Sequence, residues 1–317
     1  MSAPQIHPEM KVIMDASART TEQLGPRQPE DVAAARRWWT VYTQELSHPA
    51  PSDMAIDDRM VPTTDGEVAV RVYRPAGLES TPPAIVYLHG GGFMLGDLDS
   101  SDTNAWGLAH DTGSIVYSVD YRLTPENPYP AAFNDSYGVL EWLAANAGEA
   151  GIDPNRIAVV GDSAGGCLGG AVCLAARDRN GPAIAAQALI YMSAGTEQEG
   201  GSYDEHAEGP GLTTASTKKY RDYYLPGNQD TSDPYARPIR AKSFANLPPA
   251  FIHSAEIDPI RDDGREYAAV LALAGNWVTY REARGMIHGF LRARCDGPDA
   301  KAEFDALCAF LRDHLRD

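Results

Sequence analysis

The sequence predicts an α/β fold, a largely parallel sheet sandwiched between helices. Three observations lead to it. Short apolar runs such as Ala84–Leu88 (AIVYL) and Ser114–Val119 (SIVYSV) have the composition of strands buried on both faces. Segments with helical spacing separate those runs, and such alternation leads to a sheet of mostly parallel strands. The composition, 43% hydrophobic and 22% charged over 317 residues, is globular and leaves enough chain to bury one sizeable core.

The elements follow in order. Residues 8–47 carry apolar positions at helical spacing (Met10, Ile13 and Met14, then Val32, Trp38, Trp39, Val41 and Leu46), and the break at Gly25–Pro29 divides them into two helices. The segment 47–53 (SHPAPSD) reads as a connector. From Ile56 the pattern becomes that of strands: Val68, Val70 and Val72 alternate, and the runs 84–88 and 114–119 follow. A helix at about 131–147 leads to the strand Ile157–Val160, a helix over 163–178 and the strand Ala185–Tyr191. Residues 195–235 then interrupt the rhythm with polar, Gly-rich loops and one helix around 213–225. An insertion of that length between strands is usually functional or disordered, and with the N-terminal helices it reads as a lid. The strand Ala250–Ser254, a helix at about 264–274, the strand Trp277–Arg281 and a closing helix from about Ala300 to Leu315 complete the chain.

The net charge of −17, from 44 acidic and 27 basic residues, disfavours nucleic acid and anionic membrane surfaces as partners. It also argues mildly against a strongly anionic substrate. The four cysteines (Cys167, Cys173, Cys295, Cys308) show no zinc spacing, so no metal is expected. The first twenty residues lack the basic and apolar regions of a signal peptide, and no stretch approaches a membrane span. A cytoplasmic protein is expected.

Gly161-Asp162-Ser163-Ala164-Gly165 follows the apolar run IAVV and opens a helix. This is the G-x-S-x-G nucleophile elbow of the α/β-hydrolase fold, a turn so tight that the Ser163 hydroxyl projects into a cleft. His89-Gly90-Gly91-Gly92-Phe93 follows the strand AIVYL, and consecutive glycines let backbone N–H groups converge on one oxyanion. A phosphate-binding loop is the rival reading, but no G-K-[ST] and no G-x-G-x-x-G accompanies it. The serine needs a base, and the base a third group to fix its tautomer. Chain order in this fold is Ser, then Asp or Glu, then His. Of the downstream histidines, His253 sits inside the run AFIHS as a strand residue, His206 lies in the insertion and His314 on the charged last helix. His288, in a Gly-containing loop after the last strand, is the expected base. Asp258, in the loop after the preceding strand and fixed by Pro259, is the expected acid. Asp262 and Asp263 are read as N-terminal helix carboxylates, and Glu256 is the remaining alternative.

From about residue 30 to its end the chain resembles the hormone-sensitive-lipase family (bacterial family IV) of carboxylesterases, through HGGGF (89–93), VDYRLTPENPYPAA (119–132), GDSAGG (161–166), EGPGLT (208–213), DPIRDDG (258–264) and MIHGF (286–290). The resemblance implies a mostly parallel eight-stranded sheet flanked by helices, with cap helices at 1–50, a catalytic domain at 51–317 and a cap insertion at about 195–235. It implies a carboxylesterase of short- to medium-chain acyl esters that needs no cofactor. The oxyanion hole would be the amides of Gly91, Gly92 and Ala164, with His89 bracing that loop and Tyr121 and Arg122 supporting the site. Residues expected to line the substrate pocket are Phe93, Leu95, Tyr191, Met192, Leu212 and Ile287. Relatives that dimerise through the last strand make a homodimer the expected assembly. Two departures fall near the acyl pocket: Met192-Ser193-Ala194-Gly195 replaces a Pro-containing turn, and Gly211 stands where a larger residue is usual. An amidase or deacetylase with the same triad is the alternative. A non-catalytic binding protein, as in the related plant gibberellin receptors, is disfavoured because all three triad residues are present.

Overall fold

In the computed structural model, which describes residues 5–228 and 232–316, eight strands form a single sheet. They are β1 (Ala55–Thr63), β2 (Gly66–Arg74), β3 (Ala84–Leu88), β4 (Ile115–Val119), β5 (Ile157–Asp162), β6 (Ala186–Ile190), β7 (Ala250–Ile257) and β8 (Val278–Ile287). Their order across the sheet is β1-β2-β4-β3-β5-β6-β7-β8. β1 and β2 form an antiparallel hairpin, β2 pairs antiparallel with β4, and every other pairing is parallel. All residues of β3 to β6 are buried, which is why those strands read as unbroken apolar runs.

The helices are α1 (Lys11–Leu24), α2 (Val32–Glu45), α3 (Asp102–Thr112), α4 (Ala131–Ala145), the one-turn α5 (Ala147–Ala150), α6 (Ala164–Asp178), α7 (Gly201–Glu205), α8 (Thr214–Tyr224), α9 (Arg261–Leu273) and α10 (Pro298–His314). Strand alternation sorts the core into two layers. Ala84, Val86 and Leu88 of β3 face α4, α6 and α9, while Ile85 and Tyr87 face α3 and α10. Met10, Ile13 and Ala16, beside and on α1, and Trp38 and Tyr42 of α2 join the second layer. A third, smaller cluster lies above the sheet, where Ala35 of α2 meets Leu95, Tyr203, Leu212 and Tyr220. Residues 1–4 and 229–231 of the expected cap segments lie outside the described residues. No helix among the described residues is long and apolar enough to cross a membrane.

Four elements depart from the sequence reading. α3 was not expected: its buried residues run Thr103–Ala109 without an apolar stripe, yet the parallel β3–β4 step requires a crossover there. α7 adds a second helix to the insertion. β7 and β8 run on to Ile257 and Ile287, past the expected ends at Ser254 and Arg281. Their register shifts between Ala255 and Ile257, where Glu256 accepts the Gly285 amide at 2.7 Å. Such an irregularity breaks the alternation on which a strand is recognised. The N-terminal segment fastens the same place, His7 donating its amide to the Gly285 carbonyl at 2.8 Å.

Candidate active site

The sheet brings three side chains to its carboxyl edge. β5 ends at Asp162, and Ser163 turns the chain into α6 with φ 56° and ψ −116°, a conformation rare for a residue with a side chain. The Ser163 amide is tied to the Ile190 carbonyl at 2.9 Å, which fixes the turn against β6. The flanking glycines permit backbone contact: a Cβ on Gly165 would lie 1.9 Å from the Leu88 carbonyl oxygen. Two strands away, Ile257 and Ile287 are partners in the β7–β8 ladder. Asp258 and His288 are therefore the first residues beyond neighbouring strands, and they stand abreast.

His288 Nδ1 lies 2.7 Å from Asp258 Oδ2, and His288 Nε2 lies 2.9 Å from Ser163 Oγ. Asp258 is fully buried, and its other oxygen accepts the Ile260 amide at 3.0 Å. A carboxylate on Nδ1 makes that nitrogen the donor, leaving Nε2 to accept the serine hydroxyl proton. The chain thus joins hydroxyl, imidazole and carboxylate across 125 residues.

His253 cannot compete. It is buried on β7 and donates from Nε2 to Glu303 at 2.9 Å, while burial lowers its basicity. Burial would raise Glu303, but hydrogen bonds from His253 and Arg281 hold its carboxyl down to about 2. Glu303 therefore contributes stability that is complete above its ordinary value of 4.5 and is lost as pH falls through about 2. The Glu303→Gln variant should lose roughly 1–2 kcal/mol near neutral pH, after screening at its partly open side is counted. Its melting temperature should also fall less steeply than the wild type's on acidification below about pH 5, and parallel curves would refute the pairing.

The glycine loop beyond β3 converges on the same point. His89 is buried, donates from Nδ1 to its neighbour's carbonyl (Gly90 O, 2.9 Å) and stacks on Tyr121 with ring centroids 4.3 Å apart. Tyr121 in turn donates its hydroxyl to the His89 carbonyl at 2.6 Å. Arg122 instead holds Asp135 on α4 and Asp65. Among the described residues the amides of Gly91, Gly92 and Ala164 donate to no protein acceptor, and all three residues border the pocket holding Ser163. Asp162, to which the sequence reading gave no role, joins loop and elbow: its carboxylate accepts the Tyr87 hydroxyl at 2.7 Å and the Gly90 amide at 3.1 Å. It occupies the variable second position of the elbow motif, which carries no signal of its own.

Residues 85–292 match the alpha/beta hydrolase fold family. The carboxylesterase NlhH of Mycobacterium tuberculosis is 38% identical over 297 residues, 92% of this chain and 90% of that one. The ethyl acetate hydrolase of Pseudomonas putida is 34% identical over 94% of this chain and 95% of its own. Among solved structures, a thermostable esterase from Pseudomonas putida ECU1011 superposes with a TM-score of 0.92 at 31% identity, covering 100% of both chains. The chain belongs to the α/β-hydrolase family.

Of the residues named from the sequence, Phe93, Leu95, Tyr191 and Leu212 border the pocket of this α/β-hydrolase. Met192 and Ile287 do not line it. Both are fully buried: Met192 packs under α6 against Gly166, and Ile287 faces the second core layer beside β7. Residues at strand ends alternate in direction, so nearness in sequence to the site does not place a side chain in it. Missed instead were Trp39, Tyr220, Tyr224 and Ile260. Tyr224 stacks on Phe93 at 3.8 Å, and the paired tyrosines at i, i+4 on α8 were the signal available. Cys167 also borders the pocket, but burial pushes its thiol up to about 12, which rules out a thiolate.

Asp263 is not a helix cap, since α9 has no side-chain cap. Its buried carboxylate accepts the Ala194 amide at 2.7 Å and the Tyr203 hydroxyl at 2.9 Å, fixing the turn after β6 that lacks the usual proline. Gly211 has φ 85°, and a Cβ there would lie 3.0 Å from the His288 carbonyl, so the small residue lets the 195–235 insertion press on the loop of His288. His7, Glu9 and Asp299 are grouped closely enough to hold a metal ion, but Glu9 is committed to capping α10 through the Asp299 and Ala300 amides.

Proposed function

We propose that the protein is a carboxylesterase, of the hormone-sensitive-lipase type, that hydrolyses short- to medium-chain acyl esters through an acyl-enzyme. The observation that carries this is the Ser163–His288–Asp258 chain, with contacts of 2.9 and 2.7 Å, opening beside three free amides into a mainly apolar pocket. Ser163 attacks the ester carbonyl while His288 Nε2 takes its proton and Asp258 stabilises the imidazolium. The amides of Gly91, Gly92 and Ala164 hold the oxyanion, each contributing roughly 3 kcal/mol in the transition state. His288 then protonates the departing alcohol, and water repeats the cycle on the acyl-enzyme. Names of the relatives, carboxylesterase and ethyl acetate hydrolase among them, support the ester as substrate class.

Rates on 4-nitrophenyl esters from acetate to dodecanoate, with the matched anilides, test this reading. The maximum should fall at eight carbons or fewer; a maximum at ten or beyond overturns the chain-length preference, and faster anilide cleavage makes the protein an amidase. The cap would be the N-terminal helices together with the insertion. A homodimer would form along the outer edge of β8, beside which Leu273 and Trp277 are 88% and 71% exposed. Sedimentation equilibrium should give twice the chain mass, and a single chain's mass would refute the dimer.

A further inference from the structure

Charge is segregated in this molecule. The chain carries −17 overall, yet the pocket walls hold four arginines, Arg27, Arg221, Arg237 and Arg292, against one carboxylate, Asp162. Asp162 is taken up by Tyr87 and Gly90, and Arg237 is paired with Glu197. The other three form no ion pair among the described residues. Arg27 is held by the Gly211 carbonyl at 3.2 Å and lies over Trp38 and Trp39, 5.2 and 5.8 Å from the rings. Arg292 is held by the Ser100 carbonyl at 2.9 Å and lies 4.9 Å from the same Trp39 ring. In a protein with 44 acidic residues, leaving these guanidinium groups without carboxylates keeps them available to a ligand.

Their placement says which part of a substrate they meet. Arg292 lies in the short 3-10 turn Phe290–Ala293 that directly follows the His288–Gly289 loop, and Gly211, which holds Arg27, lies against the His288 carbonyl. The imidazole delivers its proton to the departing oxygen, so these cations stand on the leaving-group side of Ser163. Resting on the proposed esterase mechanism, we infer that the preferred esters carry a carboxylate on their alcohol portion, received by Arg27 and Arg292, which share contact with the Trp39 ring, with Arg221 drawing it to the mouth. A guanidinium fork matches a carboxylate in two parallel hydrogen bonds, and a cation-lined cleft raises the local concentration of anions. The mild argument from net charge against anionic substrates is reversed by this local distribution. The competing account is that the arginines only cover aromatic surface, which predicts no discrimination by charge.

The test compares acetate release from 3-acetoxybenzoate and from 3-acetoxybenzamide, near-isosteres with one ester bond each. In the wild type kcat/KM should favour the carboxylate, and the preference should shrink as salt rises from about 0.02 to about 0.5 M. The Arg27→Gln/Arg292→Gln variant should lower the carboxylate-to-amide ratio at least tenfold, mainly through KM, and the Lys/Lys variant should recover part of it. A wild-type ratio at or below one, or a ratio indifferent to salt, overturns the inference without recourse to any variant. If the wild type cleaves 4-nitrophenyl acetate but neither probe, the inference also fails while the esterase reading stands. Failure on all three substrates sinks the esterase reading itself.

Discussion

Replacing Ser163 by Ala should lower kcat on 4-nitrophenyl acetate by about a millionfold, the scale seen when the nucleophile of a serine triad is removed. The thiol and the other serine hydroxyl that line the pocket are poorly placed to take over the attack. The Cys167 thiol is kept protonated by burial, and the Ser193 hydroxyl is directed to the Asp263 carboxylate at 3.5 Å. The fold should be indifferent to the change, because Ser163 is held by backbone: its amide bonds Ile190 and its carbonyl accepts from Cys167 at 3.2 Å. The expected variant melts within about 0.5 kcal/mol of the wild type. Residual activity above one hundredth of wild type would remove Ser163 from the mechanism, and with it the roles given to His288 and Asp258.

Gly91→Ala should cost about two to three orders of magnitude in kcat, the effect of losing one oxyanion donor. Gly91 has φ 134°, where side chains are strained, and an added Cβ would lie 2.1 Å from the Leu95 carbonyl oxygen. That oxygen belongs to the backbone of the turn in which the Gly91 carbonyl accepts the Leu95 amide at 2.9 Å, so the loop must move and carry its amides off target. The control is Gly148→Ala, where a Cβ meets nothing within 4 Å. Both variants are followed by kcat on one ester and by thermal melting. Equal activity in the two would detach the glycine loop from oxyanion binding.

The parts of the site that were legible in the sequence are those fixed locally or by chain order. The elbow and the glycine loop declare themselves because each needs particular residues within five positions of a buried strand. His288 and Asp258 could be chosen because connections between parallel strands bring the ends of β7 and β8 to one edge. The pocket was less legible. Met192 and Ile287 adjoin the site in the chain but turn into the core, and Trp39 and Tyr224 reach it from helices distant in sequence. The true lengths of β7 and β8 were hidden by the irregularity at Glu256, and α3 by its burial all round. The arginines gave no sequence signal, since only the fold reveals which cations lack partners.

The strand order has a consequence for how such a protein can change. Ser163 leaves β5, and Asp258 and His288 leave β7 and β8, so β6 is interposed as a fixed spacer. Neighbouring strands keep a separation of about 4.8 Å whatever their side chains, and the sheet therefore acts as a ruler for the reacting atoms. Alignment resides in the least deformable part of the molecule, while the N-terminal helices and the 195–235 insertion are free to diversify toward new esters.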